Sequence, residues 1–317
     1  MVLIHPLLRA NAYRRRRIHL VVFFIVLVAN AGGATTPLGD PPLYLGFLHG
    51  VPFFWPLFSL IAPLLMVAVP LLAAFWGMDS LLARQEPPPP PAGRLRLRGW
   101  RNAALVGLVV AAVLLQGVYR PGEAVLFGER IGLERLLGIL VFAAITFVSL
   151  AITPRAVRER NLFRWAPVQE VALLFAAIFV TVGPVLEMLA AGPTGPLARL
   201  LALTSDAAGQ PSPLAYFWLA GTCSAFLDNA PTYLVFFKLA GGDPTVLTGG
   251  EEKVLRALSA GTVFFGGLTY IGNAPNMMLR AIAARHGVRM PGFFGYMAWS
   301  GTLLLPLFLL LTICFFS

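Results

Sequence analysis

Charge is what this chain has least of. Asp, Glu, Lys and Arg make up 12% of its 317 residues, where a soluble domain carries roughly 25%. Hydrophobic types make up 58%, and the mean hydropathy is +0.78. Such a chain cannot cover a water-facing surface, which excludes an ordinary soluble enzyme. Cysteine is scarce: Cys223 and Cys314 both lie in apolar segments, where they read as packing residues rather than a disulfide or metal site. The histidines His5, His19, His49 and His286 show no ligand spacing. No phosphate-cradling Gly–Lys loop is present, which argues against pumping by ATP, and there is no Gly-x-Ser-x-Gly nucleophile. No enzyme, no bound cofactor and no resident metal are expected. The net charge of +10 suggests nucleic acid at first sight. The basic residues are instead grouped in a few loops, as in membrane proteins, so the expected partner is a lipid bilayer.

Apolar runs are abundant. Phe54–Trp76, Trp100–Val118, Ile131–Ile152, Ala166–Ala190 and Phe293–Phe316 are each long enough to cross about 30 Å of hydrocarbon. Ile18–Ala29, Leu214–Leu227, Tyr233–Ala240 and Val254–Phe265 are too short to span alone, and each abuts a Gly/Pro/Asn/Asp cluster. Non-helical backbone at membrane depth survives only where protein or a wet cavity satisfies it.

Seventeen of the 24 Lys+Arg residues fall in Arg9–Arg17, Arg84–Arg101, Arg155–Arg164 and Arg280–Arg289. The connections Tyr119–Arg130, Ala191–Pro213 and Gly241–Lys253 are poor in them, and the last holds Asp243, Glu251 and Glu252. Placing the four basic clusters in the cytoplasm makes every long run alternate correctly. Leu214–Ala240 must then enter from outside, turn at Asp228-Asn229-Ala230-Pro231 and leave on the same side, as a re-entrant hairpin. The expected location is the inner (plasma) membrane, crossed many times.

Two short stretches match at a fixed distance. Thr36-Pro-Leu-Gly39-Asp40-Pro41-Pro42 lies on Thr269-Tyr-Ile-Gly272-Asn273-Ala274-Pro275 when 233 is subtracted from the second, without a gap. Gly33 falls on Gly266 and Met1–Ile4 on Leu234–Phe237. An internal repeat built on broken apolar segments marks a secondary transporter whose binding site lies at the interruptions. The polyproline run Pro87–Pro91 is stiff and extended and separates two halves. The expected organisation is an incomplete first repeat over 1–83, a Pro/Arg-rich cytoplasmic linker over 84–99, and a second repeat over 100–317. The second repeat holds three membrane helices, the hairpin 214–240, a broken helix 254–284 and a final membrane helix. The register puts Met1 in the middle of a hairpin, so an N-terminal portion is expected to be lacking. A competing reading takes Arg14–Arg17, Ile18–Val28 and Ala29-Asn30-Ala31 as a signal peptide; cleavage there would detach part of a matched unit.

The residues that can carry chemistry cluster at the breaks. Asp40, after Gly39 and before Pro41, offers hard oxygen ligands to a small cation, or merely caps a turn. Asp228 and Asn229 sit at the hairpin tip with Thr232 following. A carboxylate at membrane depth costs roughly 2.5–3.5 kcal/mol on insertion scales and asks for a partner or a task; its plainer reading is a helix cap. Asn273 and Asn276 follow Gly272 at the second break. Thr36 and Thr269 offer hydroxyls, with packing as the equal alternative. Glu187, beside Gly183-Pro184 near the predicted outer end of Ala166–Ala190, is either a proton carrier or an interfacial residue. Asp228, Asp40 and Glu187 are the candidate proton carriers.

The segments Ala29–Pro42, Phe226–Thr232 and Tyr270–Asn276 resemble the ion transporter superfamily, which includes NhaD-type sodium/proton antiporters, citrate–metal symporters and arsenite permeases. That resemblance implies an all-α integral membrane protein with an inverted repeat, re-entrant hairpins and broken helices, and a homodimer. It implies an ion site over Thr36, Gly39, Asp40, Asp228, Asn229, Thr232, Thr269, Gly272, Asn273 and Asn276. The first expectation for function is sodium/proton antiport by alternating access, since two carboxylates facing one cavity attract Na⁺ or H⁺. The second is symport of citrate or another organic anion, with or without a complexed metal. It ranks lower because, of the arginines, only Arg280 lies beside a break, and carboxylates are usually held by such an arginine. The third is an inactive truncated remnant.

Overall fold

In the computed structural model, residues 3–88, 101–119, 121–126, 129–160, 165–206 and 208–317 are described. They form two compact units: Met1–Pro90 with Ala166–Ser317, and Pro91–Trp165. This division differs from the split by repeat, because packing follows contact and not chain order. Met1, Val2 and most of the linker expected over 84–99 lie outside the described residues.

The larger unit opens with α1 (Ile4–Ala10) and α2 (Ile18–Phe23). The helix then widens into a π segment over Phe24–Asn30, tightens to 3₁₀ over Ala31–Thr35, and stops. The apolar run that seemed too short to span therefore continues to Thr35 and reaches eighteen residues. Alanine and glycine after Asn30 tolerate the change of pitch. After the gap 36–40 the chain resumes as α3 (Pro41–Leu48), with proline at its start, where no backbone N–H is needed. The long α4 (Trp55–Ala83) follows and keeps Pro63 and Pro70 inside it. It overruns the predicted Phe54–Trp76 because Asp79 is held beyond it: Asp79 pairs with Arg14 at 2.7 Å and with His19 at 2.9 Å.

The rest of this unit carries α7 (Ala166–Ala190), with the predicted bounds, and the hairpin helices α8 (Pro213–Leu227) and α9 (Asn229–Leu239). Next come α10 (Glu252–Phe265), a 3₁₀ turn Gly266–Leu268, and α11 (Ala274–Arg285). The last helix, α12 (Phe293–Leu311), runs into a π turn over Thr312–Phe316. In the smaller unit α5 (Arg101–Val118) and α6 (Leu133–Ile152) flank an antiparallel pair of strands, β1 (Glu123–Leu126) and β2 (Glu129–Gly132), with Glu123 opposite Gly132. Those strands were not legible in the charged connection that holds them.

The two broken helices run in opposite directions. The start of α2 lies beside the end of α11: Arg17 donates to the His286 carbonyl at 3.2 Å, and the His5 and His286 rings meet at 3.0 Å. At the other end, Ser59 in the first turns of α4 donates to Glu252 in the first turn of α10 at 2.7 Å. One end of the unit carries Arg9, Arg17 and Arg285, and the other carries Asp243 and Glu252. Between them lies an aromatic core in which Phe217 of α8, Phe265 of α10 and Phe308 of α12 pack edge to face and face to face. Phe58, Trp76, Phe147 and Phe294 stand largely exposed on the spanning helices, as lipid contact demands. The chain is an all-α membrane protein, crossed several times, with broken helices and a re-entrant-type hairpin.

Candidate functional site

Three helix starts meet at one place. The residues before them are Asp40, Asp228 and Asn273, at the heads of α3, α9 and α11. Two are twins. Asp40 has φ −150° and ψ 141°, and Asn273 has φ −154° and ψ 133°. Both follow a glycine folded tightly back on an earlier one. A Cβ on Gly33 would stand 2.7 Å from the Gly39 carbonyl oxygen, and one on Gly272 would stand 2.8 Å from that of Gly266. Only hydrogen fits at such distances. The repeat seen in the sequence is thus a repeat of backbone shape.

Neither twin caps its own helix. Asn273 Nδ2 instead donates across the pair to Asp40 Oδ1 at 3.1 Å, and Asn229 Nδ2 donates to Asp40 Oδ2 at 2.8 Å. Both carboxylate oxygens are therefore held by amides from the second repeat, and Asp40 is 3% exposed. Asn273 Nδ2 also reaches Asn30 Oδ1 at 3.1 Å. Asn30 Nδ2 donates to Asn276 Oδ1 at 2.9 Å and to the Ile25 carbonyl at 2.8 Å. Asn276 Nδ2 closes the second break by donating to the carbonyls of Gly266 and Thr269. The result is one buried network of Asp40, Asn30, Asn229, Asn273 and Asn276 across both breaks and the hairpin tip. The amino ends of three helices add partial positive charge around the Asp40 carboxylate. Asn229 Oδ1, fully buried, has no protein partner among the described residues. An unpaired buried oxygen beside a carboxylate costs free energy until a donor or cation completes it.

The other sequence candidates divide. Asp228 Oδ1 accepts from Ala230 N at 3.3 Å and caps α9 in this conformation. It does so from φ 76°, the one non-glycine residue with positive φ among the described residues. The Thr232 hydroxyl donates to the Asp228 carbonyl at 2.8 Å. The Thr269 hydroxyl donates to the Ala225 carbonyl and accepts from Ile271 and Gly272 N–H groups. These two hydroxyls brace backbone in this conformation. Thr36 is half-buried, and its carbonyl accepts from Gly39 N. Glu187 is set apart, exposed on α7, with no hydrogen bond to the network among the described residues. Asn30, which in the sequence belongs both to a leader-like triplet and to the segment Ala29–Pro42, is a network residue that the sequence does not single out. The signal that could have found it is an asparagine inside an apolar run directly before Gly32-Gly33.

A buried polar network at paired helix breaks, inside a helical membrane protein with inverted repeats, defines a secondary transporter. The chain belongs to the family described as "Putative citrate transport", whose model matches residues 1–316. No curated protein and no solved structure gives a match to it.

Proposed function

We propose that the protein moves an organic anion of the citrate class across the inner membrane by alternating access, coupled to Na⁺ or H⁺ held at Asp40. The family description supports the anion. The observation that carries the coupling is the buried Asp40 carboxylate between Asn229 and Asn273, with the unpaired Asn229 Oδ1 beside it. A small cation takes the two kinds of oxygen together. Its charge offsets that of Asp40, which otherwise repels an approaching carboxylate. A substrate that favours one conformation by differential affinity then shifts the equilibrium between inward and outward states.

Sodium/proton antiport is the second reading, and one observation favours it: among the described residues the hydrogen-bonded network contains a carboxylate and no cationic side chain. Reconstituted vesicles separate the two. Labelled citrate taken up under an inward Na⁺ or H⁺ gradient, and not without it, is the expected result. Collapse of a pH gradient by Na⁺ with no organic anion present would replace this reading with antiport.

A further inference from the structure

One arginine sits where an anion would need it. Asn276 lies in the buried network, and Arg280 follows four residues later on α11. That spacing puts both on one helix face, about 6 Å apart along the axis. The Arg280 guanidinium lies 4.9 Å from the centre of the Tyr270 ring, and Tyr270 belongs to the second break itself. The ring is a fixed platform. Tyr270 stacks on Tyr296 at 4.2 Å and 22°, its hydroxyl donates to the Pro291 carbonyl, and Tyr296 donates to the Gly267 carbonyl at 2.8 Å. Both rings are essentially fully buried, while Arg280 is half-buried.

Other arginines of this unit are already engaged: Arg14 with Asp79, Arg256 with Glu252, and Arg17 with the His286 carbonyl. For Arg280 the structure shows the aromatic contact, and no acid or carbonyl holds its guanidinium among the described residues. A guanidinium resting on an aromatic face keeps its in-plane N–H fork free, and that fork fits a carboxylate with two parallel hydrogen bonds.

Resting on the transport reading above, we infer that Arg280 binds one carboxylate of the substrate, so that di- and tricarboxylates, which carry a carboxylate beyond the one the rest of the site takes, are selected over monocarboxylates. Arg280 lies on the arm of α11 that runs to Arg285 at the basic end, so the anion reaches it along a positively charged approach.

The test is equilibrium binding of labelled citrate to the purified full chain in detergent with Na⁺ present, competed by succinate and by acetate. Arg280→Gln is expected to weaken citrate binding by about tenfold or more, the scale of a lost charge-assisted pair. It should also erase the preference over acetate and leave the Na⁺-induced rise in melting temperature intact. Arg280→Lys, which keeps charge but not the fork, should fall between. Wild-type citrate affinity in Arg280→Gln, or loss of the Na⁺ response together with citrate binding, overturns the assignment. Absence of carboxylate binding by the wild-type protein removes the transport reading along with it. Wild-type binding with no change in Arg280→Gln removes the Arg280 role alone.

Discussion

The first and second breaks share a backbone and differ in one charge. Asp40 and Asn273 occupy equivalent positions, have nearly the same dihedral angles, follow equivalent glycine pairs, and touch each other at 3.1 Å. Duplication explains the common shape. The difference shows what that shape is for: a single carboxylate at a pseudo-symmetric centre can be held by amides on both sides, whereas two facing carboxylates could not both remain charged there. Asymmetry in one atom type turns a structural repeat into a site with a sign.

The strongest way to break the comparison is to restore symmetry with charge. Asn273→Asp faces Asp40 with a second buried acid, and a loss of about 3–5 kcal/mol of stability is expected from an uncompensated buried charge. Thermal unfolding in detergent reads it, and the exchanged double variant Asp40→Asn with Asn273→Asp should recover most of the loss. If the single variant is as stable as wild type, the two positions are not coupled. Symmetry without charge comes next. Asp40→Asn keeps size and removes the charge-assisted hydrogen bonds, each worth about 1.5–3 kcal/mol. Cation-dependent uptake into vesicles should fall roughly a hundredfold on that scale. Undiminished coupling would show that the carboxylate holds no ion.

Smaller effects test the shared backbone. Gly272→Ala puts a methyl group against the Gly266 carbonyl, and overpacking of this kind costs about 1–3 kcal/mol. Gly39→Ala, facing Gly33, should cost a comparable amount, and a large disparity in the melting temperatures would mean the breaks are alike only in outline. Asp228 sharpens the contrast between a cap and a ligand. Asp228→Gly suits the positive φ and gives up the cap, two effects of about 1 kcal/mol that oppose each other. Near-wild-type stability and transport are expected, and abolished transport would return Asp228 to the site.

The least effect concerns pH at the basic end. Burial, the neighbouring His286 and then Arg9 hold His5 below the ordinary histidine value, and burial with Arg9 and Arg17 does the same to His286. A depressed histidine favours its neutral form in the fold. The contribution is therefore whole above pH 6.5 and declines as pH falls through the lowered values. A slight drop in melting temperature below pH 6 is expected, absent in His5→Asn. A rise instead would reverse the sign.

Much of this was legible in the chain. Four of the five candidate spans among the described residues follow long apolar runs, the fifth is the run from Ile18 that looked too short until it continued to Thr35, and the breaks fall where glycine and proline interrupt them. The hairpin turned at Asp228 as its flanking half-length runs demanded. Local steric rules act on neighbours, so local sequence reports them. Asp228 caps α9 in this conformation, and the Asp–Asn–x–Pro signal reads the same for a cap and for a ligand. Asn30 stayed hidden for the opposite reason: its partners Asn273 and Asn276 are more than 240 positions away, and nothing in its own neighbourhood names them.

The amino-acid order by itself determined that the chain enters a membrane, where its helices fail, and that the failure occurs twice with one pattern. Those are properties of runs a few residues long, set by hydropathy and by what glycine and proline permit. Only the tertiary structure decided that the two failures face each other, that Asp40 lies between Asn229 and Asn273, and that Arg280 rests on Tyr270. A hydrogen bond or a ring contact needs two groups within a few ångströms, and for residues this far apart in the chain that distance is set by how the helices pack.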